Sequence, residues 1–142
     1  MNNTGVVDPE TLSAISYEAW DRLLDVNLNG PFNGIRAFLP RIRSHNEGGH
    51  IITTSSITGP VKGSGAGAYA VPKFALVGMM EALRAELTGT NIGASVFCPR
   101  TATSEVEAGR LVLRGMRKND AYIGLIGPEG LLDLGHGRRC PA

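Results

Sequence analysis

The sequence predicts an α/β fold with a parallel sheet covered by helices on both faces, a three-layer α/β/α arrangement. Two observations carry the prediction. Segments of helical period alternate with short β-branched or apolar runs, an order that implies parallel β-α-β units with right-handed crossovers. The chain's nineteen glycines fall mostly between those segments, as tight connections. With 142 residues, 42% hydrophobic and 19% charged, the chain is the size of one domain with a real core. A net charge of +1 leaves no electrostatic footprint for nucleic acid or an acidic membrane surface. No apolar run approaches the ~20 residues that span a bilayer, and the first residues lack the basic start and apolar stretch of a signal peptide. Two cysteines make no disulfide framework, and a reducing cytoplasm fits them best. Cys98 closes an apolar run and reads as a small buried hydrophobe.

The elements follow in order. Ser16 to Asn27 reads as a helix capped by Ser16, with Glu18 at its positive end and Trp20, Leu23 and Leu24 on one side. Asn29-Gly30-Pro31 restarts the chain, and Pro31 suits the first position of a second helix. That helix runs to about Ser44 through Phe32, Ile35, Phe38 and Leu39, and Glu47-Gly48-Gly49 ends it. The β-branched run His50 to Ser56 predicts a strand. Lys62 to Ala68 is a glycine-rich loop without phosphate-binding spacing, since no G-K-[ST] follows and G-x-G-x-x-G is absent. Tyr69 to Thr88 is the clearest helix, because Leu76, Met80, Leu83 and Leu87 form one apolar face and Pro72 falls in the first turn. Asn91 to Cys98 gives a turn and a buried strand stopped by Pro99. Glu105 to Arg117 predicts a helix with Val106, Leu111, Leu113 and Met116 as its apolar positions, and Ala121 to Ile126 a last short strand. Residues 1–126 thus form the domain. Residues 127–142, glycine-rich with a basic pair at Arg138-Arg139, are expected to be a loosely ordered tail.

Chemistry in parallel sheets collects at the carboxyl ends of the strands. Ser56 ends one strand and Tyr69, thirteen positions later, opens the next helix, so both belong at that edge. Tyr69 and Lys73 are four apart and share a helix face. An ammonium there is expected to lower the phenol below its ordinary value of about 10, making a general acid or base. Y-x-x-x-K alone arises often by chance, and each residue also has a plain reading. Tyr69 could be a helix-start aromatic in water, Ser56 a turn former, Lys73 a solvated cation, and Asn27 a left-handed helix terminus.

Together with their flanks these residues resemble the short-chain dehydrogenase/reductase family. The matching stretches are Asn2-Asn3-Thr4-Gly5, Asp25 to Gly30, Gly49 to Gly59 with Ser56, and Tyr69-x-x-x-Lys73 with Phe74-Ala75. Glu81 to Leu87 and Cys98-Pro99 complete the set, in the family's order, over roughly residues 2 to 100. The resemblance implies a partial Rossmann-like, doubly wound parallel sheet. It also implies NAD- or NADP-dependent hydride transfer between a small-molecule alcohol and a ketone. On that reading Tyr69 exchanges the proton at the substrate oxygen, and Ser56 holds and polarises that oxygen. Lys73 tunes the phenol and binds the nicotinamide ribose, and Asn27 supports a water in the proton relay. Asn3, Gly5, Tyr69, Lys73 and Pro99 would border the cofactor, and no metal is implied.

The sequence departs from the family in two places. The family's glycine-rich pyrophosphate turn has no counterpart before Asn2, so the chain is expected to correspond to the C-terminal part of such a domain and to bind dinucleotide poorly. After Pro99 the family's P-G-x-V-x-T is replaced by Pro99-Arg100-Thr101-Ala102-Thr103-Ser104, and the substrate-covering insertion is short. Two other readings stand beside the enzyme. A non-catalytic module could associate with a second copy or a full-length relative through the helices 31–44 and 69–88, by which family members commonly dimerise. The chain could also be an incomplete gene product.

Overall fold

In the computed structural model, residues 1–57, 67–100 and 103–124 are described. The order is α1 (Tyr17–Leu24), a π-helical turn (Asp25–Asn29), α2 (Gly30–His45), β1 (Gly49–Thr54), a 3₁₀ turn (Gly67–Tyr69), α3 (Ala70–Glu86), β2 (Ile92–Phe97), α4 (Glu105–Lys118) and β3 (Tyr122–Ile123). The three strands form one parallel sheet in the order β1-β2-β3, with Gly49 opposite Ile92 and Val96 opposite Tyr122. Asn2 adds a parallel bridge to Thr53 on the outer side of β1, its N–H and C=O meeting Ile52 and Thr54 at 2.8 and 2.9 Å.

Alternation along the strands sorts the core into two layers. Ile51, Ala94, Val96 and Cys98 pack with Ile35 and Leu39 of α2 and with Met80 and Leu83 of α3. Ile52, Phe97 and Ile123 pack with Ala108, Leu111, Val112 and Met116 of α4. The sheet is therefore covered on both faces, and every residue of β2 is buried. This is the expected three-layer arrangement.

Local chemistry explains the element ends. Ser16 accepts from the Ala19 N–H at 3.2 Å and Ser104 from the Glu107 N–H at 3.3 Å, each satisfying an orphan donor of a first turn. Asn46 and Asn119 close α2 and α4 in the left-handed region at φ 55°. The α3 face is as expected, with Leu76, Met80, Leu83 and Leu87 all buried.

The structure corrects several element-level expectations. Asn29-Gly30-Pro31 does not restart the chain. The Gly30 N–H reaches back to the Asp25 carbonyl, so α1 runs into α2 through one π-helical turn. Pro31 sits in the first positions of α2, where its missing N–H costs little. In α2 the buried stripe is Pro31, Ile35 and Leu39, while Phe32 and Phe38 are 50% and 58% exposed. In α4, Val106 and Leu113 point outward, and Ala108, Leu111, Val112 and Met116 face the sheet. Gly115 lets α4 approach β3, since a Cβ there would lie 2.5 Å from Ile123 Cγ1. The strand expected over 50–56 ends at Thr54. The tail 127–142, Leu125 and Ile126, and most of the loop 62–68 lie outside the described residues.

Candidate active site

The carboxyl end of β1, the first turn of α3, the π-helical turn and the N-terminal segment converge at one place. Asn27 is fully buried because the π turn, one residue wider than an α turn, directs it inward. Its side chain accepts from the Val6 N–H at 3.1 Å and donates to the Val6 carbonyl at 2.8 Å. These paired bonds pull residues 4–6 across the site. Gly5 arrives there without a side chain, and a Cβ would stand 2.9 Å from Asn27 Oδ1 and 3.4 Å from Lys73 Nζ. Asn3 Oδ1 accepts from the Thr54 hydroxyl at 2.8 Å.

Lys73 is 3% exposed. Its ammonium donates to the Thr54 carbonyl at 3.1 Å and lies 5.5 Å from the Tyr69 ring centroid, within cation–π reach. Tyr69 stands at the junction of the 3₁₀ turn and α3 and is half-buried. The four-residue spacing therefore does what helix geometry requires. Ser56 and Pro99 follow the ends of β1 and β2 at the same edge, where the Ile57 N–H donates to the Pro99 carbonyl at 3.3 Å. The sequence-derived set is thus brought to one sheet edge, with Gly5 close to both Asn27 and Lys73.

The electrostatics differ from the sequence expectation. Burial raises the Tyr69 phenol above its ordinary range, where a lowering by Lys73 was expected. Burial likewise lowers the Lys73 ammonium, with the neighbouring Cys98 acting in the opposite sense. The cause is common to both: each charged form loses water on entering the fold. Burial thus favours the protonated phenol.

Two residues of this region were not singled out from sequence for the site. Ser55, 2% exposed, donates from its hydroxyl to the Lys73 carbonyl at 2.6 Å. Cys98 is fully buried, and burial pushes its thiol up to about 12 against the smaller opposing effects of the Ser55 hydroxyl and Lys73. The signal for Ser55 was present in the Ser55-Ser56 pair, because successive strand-end residues face opposite ways and only one can face the site. Among the described residues no cluster of His, Cys, Asp and Glu could hold a metal ion. None of the described helices is long and apolar enough to cross a membrane.

Comparison with known proteins agrees with this fold. The family model for short chain dehydrogenase matches residues 1–111. The C alpha-dehydrogenase of Sphingobium sp. (strain NBRC 103272 / SYK-6) is 37% identical over 111 residues, covering 78% of this chain and 36% of that relative. The apo form of LigO from Sphingobium sp. strain SYK-6 superposes with a TM-score of 0.82 at 32% identity, over 90% of this chain and 52% of that one. A short chain dehydrogenase/reductase from Burkholderia phymatum, solved in complex with NAD, shares the fold with a TM-score of 0.78 at 23% identity, over 87% of this chain and 59% of that one. The chain spans 36% to 42% of the length of the first curated relatives it matches. By the match over its first 111 residues and by its fold, the chain belongs to the short-chain dehydrogenase family.

Proposed function

We propose that this chain carries the proton-transfer half of an NAD- or NADP-dependent oxidoreductase acting on a small alcohol or ketone, and that alone it holds the dinucleotide weakly. The observation that carries the reading is the buried Lys73 ammonium, 5.5 Å from the Tyr69 ring and backed by Asn27 and Gly5. A buried cation is costly unless it has partners. An ammonium has three N–H donors, and among the described residues its one hydrogen-bond acceptor is the Thr54 carbonyl. The hydroxyls of a nicotinamide ribose fit that remaining capacity, and the missing side chain of Gly5 leaves the approach open.

When bound, the nicotinamide supplies or accepts the hydride. The chain's own residues manage the proton and the geometry. The Tyr69 hydroxyl, kept protonated by burial, donates to the substrate oxygen in the reducing direction. Ser56 orients that oxygen. Lys73 would hold the ribose. Asn27 fixes the N-terminal segment through Val6 and supports the water path behind Lys73.

Among the described residues no such counterpart serves the other end of a dinucleotide. Pyrophosphate recognition in this fold uses a glycine-rich turn at a helix N-terminus, and Gly63 to Gly67 lacks the spacing. Calorimetric titration with NADH and with NADPH tests the proposal. Affinity weaker than micromolar is expected, and a micromolar dissociation constant would contradict the impairment.

A second reading, association through α2 and α3, is favoured by one observation. Phe32, Phe38 and Phe74 are 50%, 58% and 64% exposed. Between the two helices runs a groove of about 370 Å³, lined by Ile35, Leu39, Met79 and Leu83 and rimmed by Arg36, Arg43 and Glu86. Apolar exposure of this kind marks interaction surfaces. Size-exclusion chromatography of the chain alone and co-expressed with a full-length relative checks it, and a strictly monomeric product in both would count against it.

A further inference from the structure

The residue that catalysis leaves unused, Ser55, is tied to both the sheet and α3. Its N–H donates to the Phe97 carbonyl at 2.8 Å, fixing the end of β1 on β2. Its hydroxyl donates to the Lys73 carbonyl at 2.6 Å. In an α-helix that carbonyl already accepts from the N–H four residues on, and its second lone pair is free for a side chain. The preceding residue, Thr54, offers its own carbonyl to the Lys73 ammonium at 3.1 Å. One dipeptide thus grips Lys73 at its backbone and at its tip. The next residue in the chain is Ser56.

We propose that Thr54-Ser55 is a two-point clamp on Lys73, with Ser55 the positioning residue that fixes where the lysine head and the adjoining Ser56 stand relative to one another. Apolar packing of α3 on this core comes from Val77, Met79, Met80 and Leu83, one or more turns further on, and carries no direction of its own. The Ser55 hydroxyl and the Thr54 carbonyl supply directional bonds that set the height of Lys73 above the strand end. At 2% exposure, water has little access to replace it.

The functional meaning of the clamp rests on the relay proposed above, but its test needs neither cofactor nor substrate. The chain has three lysines, Lys62, Lys73 and Lys118, so ¹³Cε-lysine labelling gives three NMR signals, with Lys73→Met assigning the buried one. Ser55→Ala is expected to move the Lys73 titration midpoint upward, toward the ordinary ammonium value, as the first turn of α3 loosens and water reaches the head. Lys118 should not move. Ser95→Ala, which also removes a buried hydroxyl but on the other face of β2, where it bonds the Asp120 carbonyl, should lower the melting temperature without moving Lys73. Ser55→Cys, near in size with a weak donor, should fall between Ser55→Ala and wild type, and it serves if the alanine variant does not fold. In the wild type the Ser55 hydroxyl proton should exchange slowly with solvent. An unmoved Lys73 in the Ser55 variants, an equal shift in Ser95→Ala, or a freely exchanging Ser55 hydroxyl would each overturn the clamp. Absent dinucleotide binding with a shifted Lys73 would instead sink the relay and leave the clamp standing.

Discussion

Asn27→Ala is the substitution whose cost follows most directly from the structure. The side chain is fully buried and makes two hydrogen bonds to the backbone of Val6, at 3.1 and 2.8 Å. Each bond is worth about 1 kcal/mol net, and a backbone group left dry without its partner costs ~1–3 kcal/mol. Val6 is half-buried, so water recovers part of that loss. The expected destabilisation is about 2–3 kcal/mol. With a urea slope of ~2 kcal/mol/M, the midpoint falls by about 1–1.5 M. Asn29→Ala is the matched control, because Asn29 sits in the same π-helical turn but is exposed, its side chain bonded to Asp25 at 2.8 Å. Surface changes of that kind stay within about 0.5 kcal/mol. Urea unfolding followed by circular dichroism reads both variants. If Asn27→Ala matches Asn29→Ala, the π turn does not anchor the N-terminal segment, and the account of how Gly5 reaches Lys73 fails.

Three further outcomes follow from other parts of the molecule. Gly115→Ala should destabilise, because a Cβ would meet Ile123 Cγ1 at 2.5 Å. Overpacking of ~1–3 kcal/mol outweighs the roughly 1 kcal/mol gained from helix propensity. Gly109→Ala, on the same helix with nothing within 4 Å, should stabilise by up to ~1 kcal/mol, and thermal melts of the pair check the contrast. His50 gives a pH dependence. Its ring Nε2 pairs with Ser95 Oγ at 2.7 Å, and burial, then the Arg84 charge, hold its pKa below the ordinary 6.5. The unfolded chain therefore binds the proton more readily. Stability is full above about pH 6.5 and falls as the pH drops through the folded value. His50→Gln should flatten that slope between pH 8 and 5 relative to wild type, and an unchanged slope would contradict it.

The alternation of elements and the α3 face were legible because each rests on one period repeated several times. The α2 and α4 faces were read less well for a physical reason. Both helices carry more apolar residues than one stripe can hold, and composition does not say which are left outside. Pro31, Ile35 and Leu39 recur every four positions and are buried, whereas Phe32 and Phe38 fall off that row. The π turn was invisible because it is a change of hydrogen-bond partner, Gly30 to Asp25, that no residue type announces. At the candidate site, Tyr69 and Lys73 were singled out by their spacing and Asn27 by the family resemblance. The sign of the phenol's shift was not, since it depends on how deeply Tyr69 and Lys73 are withdrawn from water. Ser55 was passed over because its role lies in a contact across eighteen positions of sequence with a backbone carbonyl.

The central claim is that Gly5, Asn27, Tyr69 and Lys73 form the nicotinamide-ribose end of a dinucleotide site. Titration of ¹⁵N,¹³C-labelled chain with millimolar NADH, followed residue by residue by NMR, measures this most directly. The account predicts shifts confined to Gly5, Val6, Asn27, Tyr69 and Lys73, with fast exchange and a loss of response in Lys73→Met. Shifts centred on the groove between α2 and α3, or a response that survives Lys73→Met, would contradict it.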